Sequence, residues 1–246
     1  MDEFSRTRLL IGDAALKKLQ RSSVLLFGVG GVGGYAAEAL ARSGVGSITL
    51  VDNDKVSLTN LNRQIIALHS TIDRYKTEVM KERILDINPN AQVNAYNCFF
   101  LPENANQFDF TKYDYVIDAV DTVTAKIEII IQAKNAGTPV ISSMGAGNKL
   151  DATKLQITDI YQTTMCPLAK VMRKELRLRG VKKLNVVYSI EPVIKPIEAE
   201  DVREQSNKRV IPGSIAFIPS VAGLMLAGEV IRDLITNTDE KNLAKD

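Results

Sequence analysis

Residues 23–33 restrict the fold most: an apolar strand, Val24–Phe27, runs into Gly28-Val-Gly30-Gly31-Val-Gly33 and a helix-forming stretch that continues to about Ser43. Glycine at the first two motif positions lets the backbone turn tightly and approach a phosphate, and the third lets the helix pack closely on the strand. The start of that helix offers unpaired N–H groups and the positive end of a dipole, a ready anion site. A second strand, Ser47–Val51, ends in Asp52, about where such motifs place a carboxylate on ribose hydroxyls. A turn-capping role for Asp52 is the plainer alternative. By itself this pattern describes a dinucleotide site.

The residues after Asp52 point elsewhere. Asp54, Asn60, Asn62, Arg63 and Gln64 form a polar cluster without helical or strand periodicity, which a nicotinamide ribose does not need. Asparagine and arginine reach phosphoryl oxygens, and a carboxylate meets a magnesium ion, so the cluster suits a nucleoside triphosphate. Lys76 opens a helical stretch, where the dipole disfavours a cation, and a triphosphate would give it a reason to be there.

Further along, strand and helix signals alternate. Strands near 24–27, 47–51 and 92–96 interleave with helices near 31–43 and 76–88. Strand Tyr115–Val120 leads to a helix near 124–136 that stops at Gly137 with Pro139 beyond, and Pro139–Met144 is a strand followed by Gly145-Ala-Gly147. This order predicts an α/β fold, a doubly wound, mostly parallel Rossmann-like sheet with a C-terminal elaboration. With 246 residues, 45% of them hydrophobic, the chain can bury a core as one large domain. Its expected divisions are an N-terminal arm (1–22), a nucleotide-binding core (23–150), a substrate-selecting elaboration (151–215), and a C-terminal helix and tail (216–246). The elaboration reads as strand Leu155–Ile160, a basic helix from about Pro167, strand Asn185–Ser189 and a polar loop near 195–210.

The apolar run Ile211–Ile235 contains Pro212, Pro219, Glu229, Arg232 and Asp233, costly inside a bilayer. From Pro219 onward, Val221, Leu224, Met225, Gly228, Ile231 and Ile235 follow helical spacing, predicting a buried or interface helix. Lys241–Asp246 reads as a frayed tail. The start, Met-Asp-Glu-Phe-Ser-Arg, lacks an apolar signal region, so a cytoplasmic location is expected.

Several chemistries are disfavoured. His69 is the single histidine, with no recognisable triad partners. Two cysteines, Cys98 and Cys166, and one histidine fall short of the four ligands of a structural zinc site, so no zinc is expected. The 31 basic and 29 acidic side chains leave a net charge of only +2. Against that balance, residues 170–183 concentrate seven basic side chains and one acidic one, Glu175. Lys170, Arg173, Lys174 and Arg177 share one helical face, with Leu168, Val171, Met172 and Leu176 opposite. A polynucleotide contact is predicted there, the plainer alternative being a solvated amphipathic helix.

Taken together, Gly28–Gly33, Asp52-x-Asp54, Asn60-x-x-Arg63-Gln64, Lys76 and Asp118-x-x-Asp121-Thr122 resemble the adenylating enzymes of the ubiquitin-activating superfamily, including those that activate sulfur carriers for molybdopterin and thiamin synthesis. The resemblance implies ATP and Mg2+ as cofactors, with Gly28, Gly30, Gly31, Gly33, Asp52, Asp54, Asn60 and Gln64 binding nucleotide. Arg63 and Lys76 would hold phosphates, and Asp121 would stand at the magnesium and α-phosphate. Asp118 reads equally as a structural residue. In the resembled family an N-terminal arginine crosses a dimer interface to the other subunit's ATP. Arg8 is the match, with Arg6 as the alternative, and a homodimer follows. The segments around Cys166 and Val186–Pro192 are similar to the branch that dehydrates threonylcarbamoyladenosine in tRNA, where the Cys166 position often carries aspartate. That branch implies ATP-dependent cyclisation through an acyl adenylate, on tRNA bearing threonylcarbamoyladenosine. It leaves room for a sulfur-relay protein as an associate and for thiol chemistry at Cys166. The alternative is adenylation of the C-terminus of a small ubiquitin-like sulfur carrier. A non-enzymatic nucleotide scaffold and a dehydrogenase rank below both.

Overall fold

The structure is a computed structural model that describes residues 1–197 and 212–236. The expected loop beyond residue 197 and the tail at 241–246 lie outside the described residues. Strands β1 (Ser23–Phe27), β2 (Ser47–Val51), β3 (Gln92–Tyr96), β4 (Tyr115–Asp118), β5 (Val140–Ser143), β6 (Leu155–Asp159) and β7 (Asn185–Ser189) form one sheet in the order β3-β2-β1-β4-β5-β7-β6. Every pairing is parallel except β6 with β7. The elaboration therefore extends the same sheet, closing it with one antiparallel edge.

Strand β1 shows why the sheet lies between two helical layers. Val24 and Leu26 join one core cluster while Leu25 and Phe27 join the other, so alternate side chains serve opposite faces. The first face carries helices α2 (Gly33–Arg42) and α3 (Lys76–Ile87). The second carries α4 (Val123–Asn135) and α5 (Pro167–Leu178), with Phe27 against Phe100 at a ring-centroid distance of 4.6 Å. Gly137, at φ +70°, terminates the segment after α4, as its position suggested.

Several elements depart from expectation. The N-terminal arm is a helix, α1 (Ser5–Arg21), interrupted at Gly12, whose φ is +81°. Its later part is anchored through buried Leu16 and Leu19, and ahead of the break Ile11 packs partly buried against the core. Strand β4 ends at Asp118 rather than Val120 because the Asp118 carboxylate accepts a 3.2 Å bond from the Val120 N–H and turns the chain. The last helix, α6 (Phe217–Thr236), buries Ile218, Pro219, Ala222, Gly223, Leu226, Ala227, Val230 and Leu234. That is not the expected stripe: Leu224 is exposed, and Val221, Met225, Gly228, Ile231 and Ile235 are half-buried. Small residues decide the seating. A Cβ on Gly223 would come within 2.1 Å of the Val32 carbonyl oxygen, so glycine lets α6 lie directly on α2.

Between β1 and β4 the strand order reverses. Open α/β sheets bind ligands at such a switch point, beyond the carboxyl ends of the strands.

Candidate nucleotide-binding site

A cavity of about 640 Å³ opens there, within the range of small-molecule sites. Gly28, Gly30, Gly31, Asp52, Asp54, Asn60, Arg63, Gln64, Lys76 and Asp121 all line it. Gly33 does not, and its role is close approach: a Cβ there would sit 1.8 Å from the Gly28 carbonyl oxygen. Gly28 has φ +87° and no room for a side chain beside Ala119. Helix α2 begins at Gly33, later than the sequence suggested, so Gly30 and Gly31 belong to the turn.

Asp52 stands at the carboxyl end of β2. Its Oδ2 accepts a 2.6 Å bond from the Val29 N–H and its Oδ1 a 2.8 Å bond from the Asp54 N–H. These bonds fix the carboxylate against the glycine turn and leave lone pairs for hydroxyl donors. Burial lifts its pKa above the usual aspartate value, opposed by Lys76 and the two N–H bonds.

The phosphate-suited cluster lies across the cavity. Lys76 is buried and its Nζ pairs with Asp54 Oδ2 at 2.7 Å, so a carboxylate as well as any phosphate accounts for a lysine at the start of α3. The Asn60 side chain accepts from the Ser57 N–H, and its backbone carbonyl accepts from the Arg63 and Gln64 N–H groups. Arg63 donates through Nη1 to the Thr59 carbonyl and to Asn62 Oδ1, both at 2.9 Å, and burial lowers its pKa. Gln64 is only 7% exposed, yet its Oε1 has no hydrogen-bond partner. A buried amide oxygen without a donor is costly, and a nucleotide or its bound water would supply one. Asp121 is exposed at the rim, where the Thr122 hydroxyl donates to it at 3.4 Å.

Among the described residues no group of three or more His, Cys, Asp or Glu side chains converges as a metal site. Magnesium held by one carboxylate and substrate phosphates needs no such group. The residues present fit ATP with such an ion.

Arg8 lies outside this cavity. Its guanidinium pairs with Asp2 at 2.6 Å and Asp13 at 2.9 Å. The basic face is also distant in sequence and only partly as expected. Lys170, Lys174 and Arg177 are exposed, but Arg173 donates to the Thr163 carbonyl at 2.9 Å and to its hydroxyl. The Arg177 guanidinium lies 5.3 Å from the Tyr161 ring centre. Val171 is exposed, contrary to the expected apolar face, because α5 buries only the narrow line Ala169, Met172 and Leu176. Cys166 is buried and caps α5, its Sγ accepting from the Ala169 N–H at 3.5 Å. Aspartate is a strong helix cap, so this N-cap geometry would suit an aspartate as well.

Sequence reasoning missed the far walls. Cys98, Phe99 and Phe100 follow β3 and line the cavity, as do Ala146, Gly147, Pro212, Ser214 and Pro219. The position of Cys98–Phe100 just past a parallel strand was the available signal.

Comparison with known proteins agrees with this geometry. A family model described as ThiF family matches residues 4–246. The chain belongs to the ThiF family. Within it, this ThiF-family chain is 46% identical, over 99% of its length and 98% of the relative's, to the tRNA threonylcarbamoyladenosine dehydratase of Bacillus subtilis. A crystal structure of Escherichia coli tRNA N6-threonylcarbamoyladenosine dehydratase in complex with ATP matches 97% of the chain and 96% of its own at a TM-score of 0.88 and 34% identity. The sulfur carrier protein ThiS adenylyltransferase of Escherichia coli is 37% identical over 58% of this chain and 59% of its own length.

Proposed function

We infer that this protein uses ATP to dehydrate threonylcarbamoyladenosine in tRNA to a cyclic form. The observation that carries the reading is the extent of similarity. The dehydratase relative matches 99% of the chain, elaboration included, whereas the carrier adenylyltransferase matches 58%.

The threonyl carboxylate, ionised at neutral pH, attacks the α-phosphate of ATP and pyrophosphate leaves. An atom of the neighbouring carbamoyl group then closes a five-membered ring on the acyl carbon and AMP leaves, a net loss of one water. The protein contributes position and charge. Asp52 takes the ribose hydroxyls. The glycine turn, Asn60, Arg63 and Lys76 face the phosphates, and Asp54 holds Lys76 in place. Gln64 Oε1 accepts from a donor on the nucleotide or its water. Asp121 is the residue that would hold magnesium, which neutralises charge developing at the phosphates. Residues 151–215 select the substrate, with the exposed cations of α5 facing the tRNA.

The assembly is a homodimer in which Arg8 serves the partner's site. Two features support it: Arg8 is not among the residues that line its own cavity, and Leu9 and Leu10 on α1 and Leu224 on α6 are exposed apolar side chains. No helix among the described residues is long and apolar enough to cross a membrane, and a cytoplasmic location suits a tRNA substrate.

Pyrophosphate release measured with modified tRNA, with a sulfur-carrier protein and with neither tests the reading. Release that requires the modified tRNA is expected. Release only with the carrier protein would overturn it.

A further inference from the structure

Asp118 and Lys126 form a 2.9 Å ion pair in which both side chains are 0% exposed, alone in this among the described ion pairs. Removing two charges from water costs several kcal/mol each, and apolar replacements of such pairs are often equally stable or better. Stability alone is therefore a poor explanation for the pair.

Its other bonds converge on one turn. Lys126 Nζ also donates to the Val120 carbonyl at 2.9 Å, and Asp118 Oδ1 accepts from the Val120 N–H at 3.2 Å. The Ser142 hydroxyl fixes Asp118 Oδ2 at 2.5 Å, and the Lys126 N–H donates to the Thr122 carbonyl at 3.0 Å. The Val120–Asp121 peptide and, one residue beyond Asp121, the Thr122 carbonyl are thus held by two residues that do not line the cavity. The preceding residue, Ala119, lies under Gly28, so the same turn abuts the glycine loop.

We propose that Lys126, with Asp118, is a positioning residue that holds the Val120–Thr122 turn so that the Asp121 carboxylate faces the nucleotide phosphates. The proposal rests on the assignment of Asp121 to magnesium given above. An ammonium suits the task because it has three donors: one meets Asp118 and a second meets the Val120 carbonyl.

Two neutral double variants separate positioning from mere stability. Asp118→Asn with Lys126→Met removes the donor to Val120, whereas Asp118→Asn with Lys126→Gln supplies an amide donor instead. Hydrogen exchange of the amides in 119–123 is read in the ligand-free protein, and ATP affinity is read with and without Mg2+. The Met variant should melt near the wild-type temperature yet exchange those amides about tenfold faster. Its Mg2+-dependent gain in ATP affinity should shrink by about tenfold, while the Gln variant stays within about threefold of wild type on both measures. Wild-type exchange and wild-type Mg2+ gain in the Met variant would overturn the proposal. If that variant does not fold, Ser142→Ala reads the same amides, since it removes one bond to Asp118 and leaves Lys126 in place. About threefold faster exchange there supports the proposal, and unchanged exchange overturns it. Asp121→Asn serves as the control: a retained Mg2+ gain in it would refute the magnesium assignment, while the exchange data still judge the positioning role.

Discussion

Replacing Asp52 by alanine should erase the protein's ability to sense the ribose hydroxyls. In the ligand-free protein the carboxylate accepts from the Val29 and Asp54 N–H groups at 2.6 and 2.8 Å. Asp54 lines the open cavity, so water can take over its amide, whereas Val29 is fully buried and its amide loses its acceptor; the variant should therefore lose about 1–3 kcal/mol of stability. With nucleotide bound, the lost bonds are those from the ribose to a fixed, ionised acceptor, worth about 1.5–3 kcal/mol for a charged group. A loss of about 3 kcal/mol corresponds to roughly a hundredfold in Kd. Calorimetric titration with ATP and with 2′,3′-dideoxy-ATP isolates that contribution. The wild type should prefer ATP by about two orders of magnitude, and Asp52→Ala by less than about threefold. A variant that keeps the wild-type preference would refute the assignment. The preference should also fade on acidification, beginning above the ordinary aspartate value of 3.8 because burial raises this carboxyl. The sign for folding is opposite to that of a salt-bridged aspartate. With its folded pKa above the unfolded one, Asp52 favours the folded state at low pH, and this contribution is lost as pH rises through the raised value.

Mixing inactive Arg8→Ala chains with inactive Asp121→Ala chains should restore part of the pyrophosphate release, because one hybrid site pairs an intact Arg8 with an intact Asp121. No recovery after confirmed subunit exchange would exclude a role in trans. Charge reversal of Lys170, Lys174 and Arg177 to Glu should weaken tRNA binding, flatten its dependence on salt and leave ATP affinity within about twofold, as binding titrations over a salt series would reveal. Arg173 is better left in place, since it ties α5 to Thr163. Cys166→Ser should keep turnover within about twofold, because serine caps a helix at least as well as cysteine, while a loss of activity in the folded variant would reveal thiol chemistry.

The parallel strands and the cavity's near wall were legible because each carries a local signal. Val24–Phe27 is apolar throughout, and Gly28 and Gly33 occupy positions where a Cβ would collide with backbone. Asp52 follows its strand at the spacing the motif demands. The rest depends on contacts that form only once strands and helices are packed together. Lys126 reads as an ordinary helix lysine until the sheet brings Asp118 beneath it. Asp54 reads simply as one of the nucleotide-binding residues until β2 and α3 bring it to Lys76. The face of α6 was misread because hydropathy ranks Leu224 and Ile231 above Ala222 and Gly223, whereas close packing on α2 favours the small residues. Helix α1 escaped notice because Gly12 interrupts its periodicity.

Helix α6 has a consequence for how the protein is made. Pro219 would stand 3.2 Å from a Cβ on Gly31, and Gly223 seats on the backbone of Val32. The phosphate-facing turn, written near the beginning of the chain, is thus walled by residues synthesised almost two hundred positions later. Contacts so far apart in sequence form slowly, since the whole intervening loop must close first. A nascent chain on the ribosome can pair β1, β2 and β4 before α6 emerges, but its nucleotide cradle stays open on one side. Tight ATP binding therefore becomes available only after α6 has been made, and a bound nucleotide would hold α6 against the glycine turn.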